Sequence, residues 1–412
     1  MRGRARLLTR AVAAGMFLML MITALLGCAK TDRTIRLGVN LELTGRLAWY
    51  GQAALSGIRL AVEEINASGG VSGRPVELMV LDNRSENAEA ALAAIRLAER
   101  KGVTAIIGPS TSGGVKASLA TESGVPILVP SATANTLVPH TAARNEMIRL
   151  CYTDTMQGGA IARFAHKAGY RKCAMLIESS SDYARGMGDA FAAMLGALGG
   201  EIVAEEFYTG GETDFGGVIA RLKAAQFDAL FVPAYYTEAA LILRQLAEQG
   251  VRVPILSGDA FDAPALDELV GDSAVMSDIW YSNHYAPGDS ISDRFAARYY
   301  EVYQTQPPAY AALGYDSAWL FAAALQQTEG KTRGELLALL AHTVDYEGVT
   351  GSITIDENHN AQKPVHIIGI QNGVRQGVDV IVPAQLRMEQ SVTKRRTSLL
   401  VSTGGEGLDA VA

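Results

Sequence analysis

The chain has 412 residues, 49% of them apolar and 19% charged, with a formal net charge of −7. That length suits two ordinary domains, and the apolar content is enough to bury a core in each, so disorder is not the default. An acidic balance with no Lys/Arg-rich stripe among aromatics excludes nucleic acid as a partner, and three cysteines are too few for a disulfide framework.

Residues 1–27 read as an export signal. Arg2, Arg4, Arg6 and Arg10 form a basic flank, and an uncharged apolar run from Ala11 to Leu26 follows. The run ends in Leu25-Leu26-Gly27-Cys28, which resembles the lipobox of bacterial lipoproteins. Cys28 is therefore expected to be lipidated and to become the mature N-terminus, with 28–33 as a linker. Several acyl chains on one residue anchor stably where one does not. Cleavage would remove four arginines and no acid, taking the formal charge to −11. The body is expected outside the cytoplasm, periplasmic or at the cell surface, tied to a membrane through Cys28.

From Ile35 onward, apolar runs alternate with helical patterns. Ile35–Asn40, Val76–Leu81, Val103–Ile107 and Pro126–Val129 read as strands covered on both faces. Leu55, Ile58, Val62 and Ile65 recur at helical spacing between them, as do Ala88, Leu92 and Ile95. After Met147–Cys151 a second series begins, with strands near Cys173–Glu178, Glu201–Glu206, Asp228–Val232 and Pro254–Ser257. The fold class is α/β, as two doubly wound lobes. Three successive helices, Ser292–Thr305, Tyr310–Gln327 and Thr332–His342, have no strands of their own and must pack on a sheet already built. Strands return at Gly351–Ile355 and Val365–Ile370. The expected division is lobe one at 34–152 plus 284–343 and lobe two at 153–283 plus 344–372. Hinges are expected near Cys151–Thr153, Ser282–His284 and Val344–Glu347. Residues 373–412, without clear period, read as a disordered tail.

No Gly-x-Gly-x-x-Gly or Gly-Lys-Ser/Thr follows a strand, and the six histidines show no metal-ligand spacing, so no cofactor or metal is expected. Cys151 and Cys173 read as free buried thiols. Gly108-Pro109-Ser110-Thr111-Ser112-Gly113 only loosely resembles a nucleophile elbow, which leaves a serine hydrolase using Ser110 or Ser112 as the alternative from another class. The same loop reads better as an anion site. A helix starting near Val115 would place Ser112 at its N-cap, where free N–H groups and the helix dipole meet, and Ser131 and Thr133 follow the next strand. In the second series Tyr183, Tyr235, Tyr236 and Asp259 come after successive strands. An acid among aromatics suits an ammonium group.

These stretches resemble a known family. Leu43-Thr44-Gly45, Tyr50-Gly51-Gln52, Ala61-Val62-Glu63-Glu64-Ile65-Asn66, Ile107-Gly108-Pro109, Pro130-Ser131-Ala132-Thr133, Asp154-Thr155-Met156-Gln157-Gly158 and Ala312-Leu313-Gly314-Tyr315-Asp316 are similar to the solute-binding proteins of branched-chain amino-acid ABC importers, of type I periplasmic-binding fold. The likeness runs over about residues 34–372. It implies a monomer of two lobes joined by three crossovers that close over a small amino acid, branched-chain or similar, and deliver it to membrane permease subunits. By the resemblance, Ser112 and Thr133 hold the ligand carboxylate, the Ser131 carbonyl and Asp259 hold the ammonium, Tyr183 and Tyr235 or Tyr236 close from lobe two, and Tyr50 flanks the side chain. Ala184 stands where glycine is usual, and Ala260-Phe261 where glycine and tryptophan are common. A binder of aromatic carboxylates or amides on the same fold, in which Asp259 is dispensable, is the alternative ligand reading.

Overall fold

The computed structural model of the protein describes residues 34–137, 146–288, 290–328 and 332–386. The export signal, Cys28 with its linker, and residues 387–412 lie outside the described residues. The first apolar run forms β1 (Ile35–Leu41), followed by α1 (Ala48–Ala67), β2 (Val76–Asp82), α2 (Asn87–Glu99), β3 (Val103–Ile107), α3 (Ser112–Leu119), β4 (Ile127–Val129) and β5 (Met147–Arg149). The five strands pair in parallel in the order β2-β1-β3-β4-β5. Both faces of this sheet carry helices, which is why its central strands are apolar throughout.

The second series runs α4 (Asp154–Lys167), β6 (Lys172–Glu178), α5 (Asp182–Ala197), β7 (Glu201–Tyr208), α6 (Gly216–Leu222), β8 (Ala229–Phe231), α7 (Tyr236–Glu248), β9 (Ile255–Ser257), α8 (Pro264–Val270) and β10 (Ile279–Asn283). Its parallel part has the order β7-β6-β8-β9-β10. The two lobes therefore share one winding, and each reverses its strand order beside its first strand. A crevice opens at the carboxyl ends of the strands at such a reversal, where open α/β sheets bind ligands.

The chain then returns to lobe one through α9 (Ser290–Tyr303), α10 (Ala309–Gln327) and α11 (Arg333–Ala341). A short sheet follows, β11 (Tyr346–Gly348), β12 (Gly351–Ile355) and β13 (Ala361–Gln362), before β14 (Val365–Gln371) and β15 (Val374–Ile381) complete the second sheet as antiparallel strands. Two expectations are corrected here. Residues 344–362 belong to lobe one, because Ile353, Ile355 and Ala361 pack with Leu37, Val39 and Phe321 in its core. The third crossover is therefore at Lys363-Pro364, between β13 and β14, and not at Val344–Glu347. The tail assigned to 373–412 is also wrong at its start: 374–381 is a strand on β14, and Leu386 is buried in the core of lobe two. Cys151 and Cys173 are buried and unbridged.

One helix pair matters to the site. α1 and α10 meet through glycines: a Cβ on Gly57 would run into the Ala311 backbone, and one on Gly314 into that of Ala54. This close approach brings two tyrosines near the starts of the helices together, Tyr50 stacking on Tyr310 at 4.6 Å between centroids. Overpacking of this kind costs roughly 1–3 kcal/mol, or more when backbone must move. Gly314→Val is expected to lower the melting temperature by several degrees, read by circular dichroism, and to weaken ligand binding by separating the two rings; unchanged melting would show that the contact is slack.

Candidate functional site

In lobe one the site grows from the ends of β1, β3 and β4. Gly108, at φ +99°, turns the chain out of β3 where a Cβ would strike the Asn40 carbonyl. The loop beyond it is held by Glu42, which follows β1 and is 1% exposed. Its carboxylate accepts from the Ser110 and Thr111 N–H groups at 3.0 and 3.2 Å and from the Thr111 hydroxyl at 2.7 Å. Burial raises the Glu42 pKa, and these bonds oppose the rise. The helix α3 then begins at Ser112 with Thr111 as its N-cap, three residues earlier than the sequence pattern suggested. Ser112 Oγ accepts from Ala134 N–H at 3.3 Å, which leaves its own proton to donate. Beneath the neighbouring loop lies Arg149, fully buried, its guanidinium donating to the Thr133 and Ala134 carbonyls at 2.7 and 3.0 Å.

In lobe two the ends of β6, β8 and β9 bring Tyr183, Tyr235 and Asp259 to the facing edge. Asp259 is 2% exposed. Its Oδ2 lies 3.1 Å from His284 Nε2, while Oδ1 has no partner. Burial pushes its pKa up to about 7, against neighbouring Gln157 and Tyr183. Burial also drives the His284 pKa well below its ordinary value, which disfavours a charged imidazolium beside the carboxylate. The His284 ring stacks on Tyr152 at 3.7 Å. Gln157, on α4, ties the lobes together. Its Nε2 donates to Thr133 Oγ1 and Asp154 Oδ1 at 3.1 and 3.0 Å, and its Oε1 accepts from Ser282 Oγ at 3.0 Å and Asp259 N–H at 3.4 Å. Burial raises Asp154, like Asp259, to about 7.

The lobes are closed on each other. Tyr50 Oη donates to the Ala260 carbonyl at 2.8 Å and accepts from Tyr236 N–H at 3.1 Å. Tyr236 Oη donates to the Arg46 carbonyl at 2.8 Å, and the Arg46 guanidinium meets both oxygens of Glu238 at 2.6 and 2.7 Å. Lys116 pairs with Asp182 at 2.7 Å across the other side. Between these contacts lies a small, partly open cavity. A roomier groove opens near Arg294, Trp319 and Tyr346, but lobe one alone lines it, so its contents could not couple to closure.

Seven of the residues expected from the sequence line the cavity: Tyr50, Ser112, Ser131, Thr133, Tyr183, Tyr235 and Asp259. Two details differ. Tyr236 is not in the lining, because its ring packs edge-on against Tyr50 at 5.2 Å and its polar groups serve lobe contact. The Thr133 hydroxyl already accepts from Gln157, and that of Ser131 donates to the Ser110 carbonyl at 3.0 Å. Sequence reading missed Tyr310, Glu42, Gln157, Arg149 and His284. For Gln157 a signal existed, since it sits in the Asp154–Gly158 motif without having been given a role.

Residues 34–375 match the periplasmic binding protein family. Among curated relatives, the Leu/Ile/Val-binding protein BraC3 of Rhizobium johnstonii is 31% identical over 227 residues, 55% of this chain and 61% of that protein, so the chain spans less than two thirds of that relative's length. Among solved structures, the branched-chain amino-acid transporter substrate-binding protein LivJ of Streptococcus pneumoniae, in complex with isoleucine, is 35% identical with a TM-score of 0.79, covering 85% of this chain and all of that one. The leucine-binding protein LivK of Thermotoga maritima is 32% identical with a TM-score of 0.80, covering 85% and 99%. With its two-lobed fold and its closed polar cleft, the chain belongs to the periplasmic binding protein family, among the substrate-binding proteins of branched-chain amino-acid ABC transport, and is a binding protein rather than an enzyme.

Proposed function

We propose that the protein is an extracytoplasmic lipoprotein that captures a small amino acid between its lobes and delivers it to the membrane subunits of an ABC importer. The observation that carries the ligand reading is the unpartnered Oδ1 of buried Asp259, lining the same cavity as Ser112. A zwitterion matches this pair. Its carboxylate meets the Ser112 hydroxyl and the positive end of α3, and its ammonium meets Asp259. Such a ligand touches both lobes at once, so it binds the closed state better than the open one and shifts the population toward closure.

The lipoprotein part rests on Leu25-Leu26-Gly27-Cys28. Cys28→Ala is expected to leave the body folded and to move it out of the membrane fraction; recovery of that variant still lipid-bound would remove the anchor from the proposal.

Asp259→Ala is expected to cost about 2–5 kcal/mol of amino-acid affinity, since it leaves a desolvated ammonium unpaired. Ser112→Ala should cost less, about 1–3 kcal/mol, because the N–H groups of α3 remain. Calorimetry on both variants checks this order. If the unmodified protein binds an amine-free acid such as benzoate as tightly as any amino acid, the aromatic-carboxylate reading replaces this one.

Closure without ligand should depend on pH. An open, solvated Asp259 has an ordinary pKa near 3.8, whereas in the closed empty cleft burial raises it to about 7. Closing therefore takes up a proton, and at ~1.4 kcal/mol per pH unit the difference is worth a few kcal/mol. Ligand-free closure is favoured at low pH and lost as pH rises from about 4 to 7. Small-angle scattering is expected to give a smaller radius of gyration at pH 5 than at pH 8 without ligand, and Asp259→Asn should abolish most of that difference. With a saturating amino acid the radius should be small at both pH values.

A further inference from the structure

The head-group contacts use Ser112 and Asp259, and two hydroxyls in the cavity wall remain without a partner: Tyr183 Oη, which neighbours Asp259, and Ser110 Oγ on the opposite lobe. Ser110 is 5% exposed, lines the cavity, and its Oγ has no partner. The residue is held from both sides of its backbone: its N–H donates to Glu42 and its carbonyl accepts from the Ser131 hydroxyl. Its hydroxyl is thus presented from a fixed position. On the same side of the cavity the Thr111 hydroxyl is already engaged with Glu42, and that of Tyr50 with the Ala260 carbonyl.

The rest of the wall agrees. Of the lining residues only Ala260 lacks a polar side-chain group, and no Leu, Ile, Val, Met or Phe is among them. Apolar contact comes from tyrosine rings, with Tyr50 stacked on Tyr310 and Tyr183 on Tyr235. A branched aliphatic side chain packed there would seal the Ser110 hydroxyl away from water with nothing to bond. A site built to pair with a hydroxyl discriminates strongly against the analogue that lacks it, because its own polar group is then stranded.

We infer that the ligand's side chain is short and carries a hydroxyl that pairs with Ser110 Oγ, so the preferred ligand is a small hydroxyl amino acid such as threonine and not a branched aliphatic one. This rests on the amino-acid reading above and names the ligand within it. Ser110 is then the specificity residue.

Threonine and valine are nearly equal in shape and differ by hydroxyl against methyl, so their affinities for the purified protein, measured by calorimetry beside leucine, isolate the contact. Threonine is expected to bind at least tenfold tighter than valine. In Ser110→Ala that ratio should fall toward one through loss of threonine affinity alone. Valine or leucine binding as tightly as threonine overturns the inference while leaving the amino-acid reading in place. Equal losses for both ligands in Ser110→Ala would make Ser110 a carboxylate contact, and likewise overturn it. Binding of none of the three amino acids would defeat the underlying reading. Should Ser110→Ala fail to fold, the threonine-to-valine ratio of the unmodified protein decides.

Discussion

In the closed cleft the Asp259 carboxylate has left water almost completely, and only one of its oxygens has found a partner. That partner is His284, whose charged form burial disfavours. The nearest buried cations are committed elsewhere: Arg149 donates to the Thr133 and Ala134 carbonyls, and Lys363 Nζ to Thr350 Oγ1 at 2.6 Å. Among the described residues no Arg or Lys pairs with Asp259. A buried charge of this kind persists only when something neutralises it. The compensating charge must come from a proton or from what enters the cleft, and this makes closure and occupancy a single event.

The position of Asp259 gives that event a direct mechanical route. His284 sits on the second crossover and stacks on Tyr152 of the first. Lys363, on the third, is also buried, and its pKa falls to about 8 because burial disfavours its charge more than nearby Asp316 supports it. Each of the three connections therefore carries a buried side chain close to the site, Tyr152, His284 and Lys363. The group that recognises the ammonium bonds to a residue of the hinge itself. A change in the charge beside Asp259 is felt where the lobes pivot, with no need for a long path between site and hinge.

Much of this frame was legible in the sequence because parallel strands buried on both faces leave unbroken apolar runs, and binding residues of such sheets cluster just after them. Ser112, Thr133, Tyr183, Tyr235 and Asp259 could be placed for that reason. What was missed has a different physical character. The strand 374–381 lies at a sheet edge, with Val374, Val378 and Val380 about half exposed or more, so it shows no buried run and read as tail. The strand Ile279–Asn283 mixes aromatic and polar residues where it runs into the hinge. Glu42, Gln157, Arg149 and His284 act through hydrogen bonds to partners distant in the chain, and no local spacing records those. The third crossover was misplaced because returning strands were credited to the second sheet, whereas β11–β13 only cap the first lobe.

The closure contacts explain why an unoccupied cleft can shut at all, and also why it should not stay shut. Of the two ion pairs across the rim, Lys116–Asp182 has a 59% exposed lysine and is of the kind that contributes about 0–1 kcal/mol, while Arg46, 41% exposed, meets a Glu238 that is only 3% exposed. The Tyr50 and Tyr236 hydrogen bonds add roughly 0.5–1.5 kcal/mol apiece. Together these are of the same order as the few kcal/mol that an ionised, unpaired Asp259 costs, and opposite in sign. Two states so nearly balanced are each accessible without ligand. One additional ion pair inside the cleft is then enough to tip the population, since a ligand shifts such an equilibrium only by its differential affinity for the two states. Had the rim contacts been buried and strong, the protein would close empty and release slowly. The solvent-exposed cations of both ion pairs keep the decision with the ligand's ammonium.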